Sequence, residues 1–227
     1  MEDFKIIFED NHLLVVEKPV NVPVQEDQSQ DLDLLSMLKT FIKERDEKPG
    51  NVYLALVNRL DRPVGGVMVY AKTSKAASRL SDQVRRHAFT KQYFAVLRGF
   101  PEQQQARLED YLYKDKRQNQ VYVTSKDYKQ AKKAVLDYDV VGYHNGLTLV
   151  KVNLHTGRPH QIRVQFANIG CALYGDQKYG AKVNKPGQQI ALWSHQLGLE
   201  HPTLKEEKVF ISNPPAKNPW SYWYDQF

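Results

Sequence analysis

The stretch Asn58-Arg59-Leu60-Asp61-Arg62-Pro63-Val64-Gly65-Gly66-Val67-Met68-Val69-Tyr70-Ala71-Lys72 sets the pattern of the chain. Gly66 to Ala71 is an apolar run of strand length, and Val52 to Val57 is another just before it. Between them lies a polar link carrying a proline and glycines, so the order reads as strand, turn, strand. Asp61 then sits on a turn that rigid strands hold in place, where scaffolds present reactive groups. Turn aspartates also cap their own loop or pair with a neighbour such as Arg59 or Arg62, and position alone favours that plainer role.

Toward the N-terminus, Lys5–Glu9 and Leu13–Lys18 are β-rich runs joined by Asp10-Asn11, which predicts an opening hairpin that Pro19 and Pro23 terminate. From Asp31 the period changes: Leu34, Leu35, Leu38, Phe41 and Ile42 draw one stripe on a helix. Asp31 and Asp33 suit its positive end, Lys43 and Arg45 its negative end, and Pro49-Gly50-Asn51 stops it. Toward the C-terminus a helix is expected from Ser74 to about Arg86, capped by Thr73 or Ser74, with Ala77, Leu80 and Val84 inward. Strands follow at Gln92 to Leu97, Gln120 to Thr124, Ala134 to Val141, Leu147 to Leu154, Ile190 to Leu197 and Lys208 to Ile211. A further helix opens at Pro159, buries Ile162, Phe166 and Ile169, and ends at Gly170. His160 and Arg163 then share another face and point together, away from that stripe. The expected architecture is α+β: a single domain over residues 1–227, with a mixed, mainly antiparallel sheet flanked by helices.

Composition narrows the function classes. The 227 residues carry 32 Lys and Arg against 26 Asp and Glu, a net charge of +6, with 41% hydrophobic and 26% charged residues. Such a chain is globular, and its positive balance raises the local concentration of polyanions. Lys114, Lys116, Arg117, Lys126, Lys129, Lys132 and Lys133 make the middle of the chain basic enough to follow a nucleic-acid backbone. The single Cys171 excludes an intramolecular disulfide. No metal site is expected, because the seven histidines form no His-Glu-x-x-His pattern. Gly65-Gly66 and Gly175 to Gly180 do not make a glycine-rich phosphate loop, and no apolar run approaches the ~18 residues of a membrane span. The acidic start, Met1-Glu2-Asp3, is unlike a signal peptide, and a cytoplasmic protein is expected.

The Asn58 to Lys72 stretch resembles the signature around the catalytic aspartate of the RluA family of pseudouridine synthases. Lys91-Gln92-Tyr93-Phe94-Ala95-Val96-Leu97-Arg98-Gly99 resembles the family's second motif. Its third is resembled by Leu154-His155-Thr156-Gly157-Arg158-Pro159-His160-Gln161-Ile162-Arg163, running on to Gly175-Asp176-Gln177-Lys178-Tyr179-Gly180. The opening Ile7 to Pro19 is similar to the start of the catalytic domain, so the motifs span most of the chain in family order.

The resemblance implies a pseudouridine-synthase catalytic domain that isomerises a uridine in structured RNA, ribosomal or transfer. It implies no cofactor, since no electrons or groups leave the system. Asp61 would be the essential carboxylate, Arg163 the arginine that pairs with it, and Tyr93 the ring lying against the target base. Arg59 would fill the space the extruded nucleotide vacates. Arg62, Arg158 and His160 are the other candidates to touch RNA, the last two meeting phosphates near the helix start. RNA is the only partner expected, with a monomer and no membrane. No S4-type domain is expected ahead of Ile7. Two departures stand out: Asn58 occupies a position that is usually histidine, and Val64-Gly65-Gly66 replaces the common Thr-Ser-Gly. They leave room for an alternative, a catalytically idle RNA-binding or RNA-chaperone module of the same fold.

Overall fold

In the first hairpin the Asp10 carboxylate holds the turn: its Oδ1 accepts from the amides of His12 and Leu13, both at 2.7 Å. Strands β1 (Lys5–Glu9) and β2 (Leu13–Lys18) therefore pair antiparallel, with Lys5 opposite Glu17 and Glu9 opposite Leu14. The computed structural model describes residues 4–227, which form two compact units. One runs up to Thr90 and takes in Ser194–Ser212; the other is Lys91–Trp193 with Asn213–Phe227.

In the first unit β2 pairs antiparallel with β4 (Gly65–Ala71), placing Leu13 opposite Ala71 and Lys18 opposite Gly66. Leu13 to Val16 and all of β4 are buried, as befits apolar runs covered on both faces. The expected Val52 to Val57 strand shrinks to β3 (Ala55–Leu56). β4 gives one edge to β2 and shares the other between β3 and β10 (Leu192–Glu200), leaving β3 room for two residues. β10 in turn pairs with β11 (Glu207–Ile211).

The two helices of this unit have side-chain caps. α1 (Leu34–Arg45) starts later than Asp31 because Asp33 is the cap, its Oδ1 accepting from Ser36 N at 3.1 Å. Leu34, Leu38 and Ile42 are buried beneath it. α2 (Ser74–Arg85) is capped by Thr73, which accepts from Ala76 N. Its inward stripe is rotated from the expected one: Ala76, Leu80 and Gln83 are buried, whereas Val84 is 38% exposed. Gln83 tolerates burial because its carboxamide imitates a strand. Its Nε2 donates to the Glu200 carbonyl at 2.8 Å and its Oε1 accepts from Glu200 N at 3.1 Å.

The second unit orders its strands β5 (Thr90–Arg98), β9 (Leu147–Leu154), β8 (Lys132–His144), β6 (Gln105–Asp115) and β7 (Gln120–Thr124), each antiparallel to the next. β6 was not expected, because Arg107, Glu109, Asp110, Lys114 and Asp115 hide its apolar positions. Arg107 lies opposite Asp137 on β8 and donates Nε to Oδ1 at 2.7 Å, a cross-strand pair that the single sequence does not advertise. β8 runs past Val141 to His144 over an irregularity at Val140/Gly142. A Cβ on Gly142 would lie 2.9 Å from Trp223 Nε1, so glycine lets a C-terminal 3-10 helix, Trp220–Gln226, pack there with Trp220 and Trp223 buried. α3 (Gln161–Asn168) completes this unit.

Candidate active site

Lys18 organises the Asp61 loop. Its side chain is fully buried at the end of β2, and Nζ donates to the carbonyls of Pro19 at 2.8 Å, Arg62 at 2.9 Å and Val64 at 2.8 Å. An ammonium has three donors, and all three are spent on backbone. Two of those carbonyls belong to the loop, and Val64 N donates to Asp61 O at 2.9 Å to close the turn. Burial pushes the Lys18 ammonium down to about 7, with the negative charge of Asp61 opposing.

The two departures are built into the same loop. Asn58 Oδ1 accepts from Val69 N at 3.0 Å, so its carboxamide ties the loop's entry to β4. Gly66 has φ +117, and a Cβ there would sit 2.2 Å from Ser194 O. Within the loop Leu60 is buried, Asp61 is half-buried and Arg59 is exposed. Arg62 donates Nε to Asn21 O at 3.1 Å and Nη1 to Ser29 Oγ at 3.2 Å, and pairs with Asp31. It thus holds the chain ahead of α1, and explains why Asp31 lies outside that helix.

In the second unit α3 carries Arg163, which is 6% exposed. Its Nε and Nη2 donate to the two oxygens of Asp176, each at 2.8 Å. Asp176 Oδ1 also accepts from the amides of Lys178 at 2.9 Å and Tyr179 at 3.2 Å. Burial pushes the Asp176 carboxyl up, but Arg163 and these amides outweigh it and hold the group below the usual carboxylate range. Tyr179 joins the neighbours: its hydroxyl accepts from Val121 N at 2.8 Å and is hydrogen-bonded to His160 Nδ1 at 2.7 Å. Its ring lies 5.3 Å from the Arg163 guanidinium carbon.

His160 and Arg163 therefore converge, as their spacing requires. The rest of the expected face does not hold, since Gln161 to Phe166 are all buried and Ile169 is 40% exposed. The start is also displaced from Pro159. His160 takes φ 51 without a side-chain cap, and Gln161 ties down the turn instead. Its Oε1 accepts from Arg158 N at 3.1 Å and Thr156 Oγ1 at 2.7 Å, while Nε2 donates to Val135 O at 3.1 Å.

Tyr93 lies on β5 opposite Val152 and is 7% exposed. Arg158 donates Nε to Lys133 O at 2.9 Å. Lys18, Asp176 and Tyr179 lay inside the quoted motifs without being singled out. The signal for Lys18 was a lysine closing an apolar strand before a proline. Among the described residues no group of three or more His, Cys, Asp and Glu is placed to hold a metal ion, and no helix is long and apolar enough to cross a membrane.

Comparison with known proteins identifies the family to which this fold and its Asp61 loop belong. The family model described as RNA pseudouridylate synthase matches residues 12–168, and the chain belongs to that family, whose members are isomerases. Among its relatives, an RNA pseudouridine synthase of Aquifex aeolicus is 31% identical over 92% of this chain and 69% of its own length. The ribosomal large subunit pseudouridine synthase D of Zymomonas mobilis is 30% identical over 93% of this chain and 69% of its own. The structure of human RNA Pseudouridylate Synthase Domain Containing 4 superposes with a TM-score of 0.77 at 23% identity, covering 93% of this chain and 88% of the other, a likeness of fold.

Proposed function

We propose that this chain converts one uridine of a structured RNA, ribosomal or transfer, into pseudouridine, with Asp61 as the essential carboxylate. The observation that carries the reading is the loop: family membership supplies the reaction, and the Lys18 cradle supplies a fixed backbone for the aspartate of its motif. The reaction breaks the bond from N1 to C1′, turns the uracil and rejoins it through C5, whose proton then leaves. An ionised carboxylate suits the first step, either by attack on C1′ or the base, or by assisting elimination to a glycal-like intermediate.

Tyr93 stacks against the base and handles the C5 proton in this scheme. Arg163 balances the charge of Asp61. Arg59 fills the stack when the nucleotide is extruded, at a cost of a few kcal/mol in unstacking. Arg62 borders the loop, and Arg158 and His160 contact phosphates. The protein acts in the cytoplasm as a monomer, without cofactor or metal. Retention of Asp61, Tyr93 and Arg163 together counts against an idle RNA-binding module, which needs no such trio.

The test is a pseudouridine map of total RNA, by carbodiimide labelling and primer extension, from cells lacking the gene and complemented with the wild type or Asp61→Ala. A site restored by the wild type alone identifies the substrate and places Asp61 in the chemistry. If no site depends on the protein, the idle RNA-binding reading replaces this one.

A further inference from the structure

Many cations of this protein point into solvent, and several that pack against its surface have partners. On α2, Arg85 and Arg86 share Asp82, and Arg79 donates to the Pro202 carbonyl at 2.6 Å. Lys205 is paired with Glu200, and the buried Lys18 has its three carbonyls. Lys91 and Arg158 of the second unit belong to neither group, because Lys91 is withdrawn from solvent without a partner among the described residues. Lys91 is half-buried near the start of β5, and its Nζ makes no hydrogen bond or ion pair among the described residues. It reaches toward the loop before α3, where a Cβ on Gly157 would lie 3.5 Å from Nζ. The next residue is Arg158, whose Nε is spent on Lys133 O, while its two terminal amines have no hydrogen-bond partner among the described residues. The charged group that bears on Lys91 is Arg158, of like sign, and burial together with that charge pushes the Lys91 ammonium down.

Two cations drawn together without an anion store repulsion, which a bound anion would relieve. Alternation along β5 puts Lys91 on the same face as Tyr93, two residues and ~6.6 Å apart. One nucleotide step in an RNA strand is of this order, so a phosphate at Lys91 and a base at Tyr93 can belong to adjacent parts of one strand.

We propose that Lys91 and Arg158 form a two-point clamp for a backbone phosphodiester of the RNA substrate, next to the nucleotide that faces Tyr93. The assignment of Tyr93 to the target base rests on the reading of the chain as a uridine isomerase; the clamp itself rests on the unanswered cations. Lys91 supplies a point charge and Arg158 a planar pair of donors, a combination suited to two oxygens of one phosphate.

Phosphate contacts are independent of base sequence, so the clamp can be tested without knowing the natural target. The probe is a fluorescent stem-loop RNA whose loop is all uridine, bound to the full chain across a salt series. Lys91→Gln and Arg158→Gln are each expected to weaken binding several-fold and to flatten the slope of log affinity against log salt by about 0.7, the value for one single-strand phosphate. The double variant should lose little more than either alone, and Lys91→Arg should restore most of the loss. A loop made with neutral methylphosphonate linkages should weaken the wild type and leave the double variant nearly unaffected. Lys182→Gln, an exposed lysine of the same unit, is the reference for loss of charge alone.

Thermal unfolding separates this role from a structural one: Lys91→Met should leave Tm unchanged or raise it, since it removes an unanswered cation. Unchanged slopes, equal losses on the methylphosphonate loop, or a fall in Tm with binding preserved would each overturn the clamp. Competition by inorganic phosphate beyond its ionic strength, abolished by Lys91→Gln, would make free phosphate the occupant and also overturn it. Clamp and synthase fail separately. Flattened slopes in a protein that modifies no RNA would sink only the isomerase reading, while normal slopes in Lys91→Gln alongside pseudouridine formation would sink only the clamp.

Discussion

The first unit holds Asp61 on a loop wrapped around the ammonium of Lys18, whereas the second holds Arg163 on a helix pinned by the carboxylate of Asp176. Each device buries a charge to fix a segment carrying a charged residue of the family motifs, but the compensation differs. Lys18 is answered by dipoles from three carbonyls, and its proton is held so loosely that the group titrates about pH 7. Asp176 is answered by a full opposite charge and two amides, and stays ionised. A cradle of dipoles fixes backbone and leaves the buried charge adjustable; an ion pair fixes a side chain and locks its charge.

The largest expected effect breaks the ion pair. Asp176→Ala removes the bidentate carboxylate from the buried Arg163 guanidinium and should cost about 3–5 kcal/mol, lowering Tm by about 6–20 °C. A thermal scan showing a shift of only a degree or two would mean that solvent reaches Arg163 and that the pair is not the anchor described. Lys18→Met removes the other device and should cost about 2 kcal/mol, because relief of desolvation partly offsets three carbonyls left unpaired. The pH dependence sharpens the contrast. The folded chain releases the Lys18 proton about pH 7 while the unfolded chain keeps it to 10.5, so the unfolded state binds more protons in that window. Stability from this group therefore rises with pH from 7 to 10.5. Urea midpoints of wild type and Lys18→Met should differ by an amount that changes over this range, and a constant difference would refute the assignment.

Asn58→Ala is expected to cost about 1 kcal/mol by orphaning the Val69 amide, whereas Asn58→Asp keeps an acceptor and should cost less. Equal losses in denaturant midpoint would show that the bond contributes nothing. The smallest effect calibrates the scale at the surface. Arg45 and Lys72 hold the Glu9 carboxyl down to about 2, so its contribution is present above 4.5 and lost as pH falls from 4.5 toward 2. With Arg45 and its partners reached by solvent, it amounts to roughly 0.5–1 kcal/mol. The gap in stability between wild type and Glu9→Gln should shrink as pH falls through that window; a gap that stays undiminished down to pH 2.5 contradicts this account.

The parts that local chemistry decides were legible in the sequence. Asp10 and Asn11 mark a turn, Asp33 and Thr73 are caps, and each acts within three residues of itself. What was illegible depends on distant partners. β6 looks like a charged loop until Arg107 meets Asp137, and α2 is rotated because Gln83 finds the backbone of Glu200. α3 looked amphipathic, yet it is buried from Gln161 to Phe166, and its start is tied by the side chain of Gln161 rather than by a serine or aspartate. Asp61, Tyr93 and Arg163 stood out through long motifs. Lys18 and Asp176, which brace the segments carrying two of them, read as ordinary charged residues because burial cannot be seen one residue at a time.

Gln83 bears on self-association as well as on the packing of its helix. A strand end with an unmatched carbonyl and amide is a template for another chain. At Glu200 both groups are already taken by one carboxamide, in the geometry a neighbouring strand would use. The helix thereby closes this place against a second copy, without the lysine or proline that sheets usually station there.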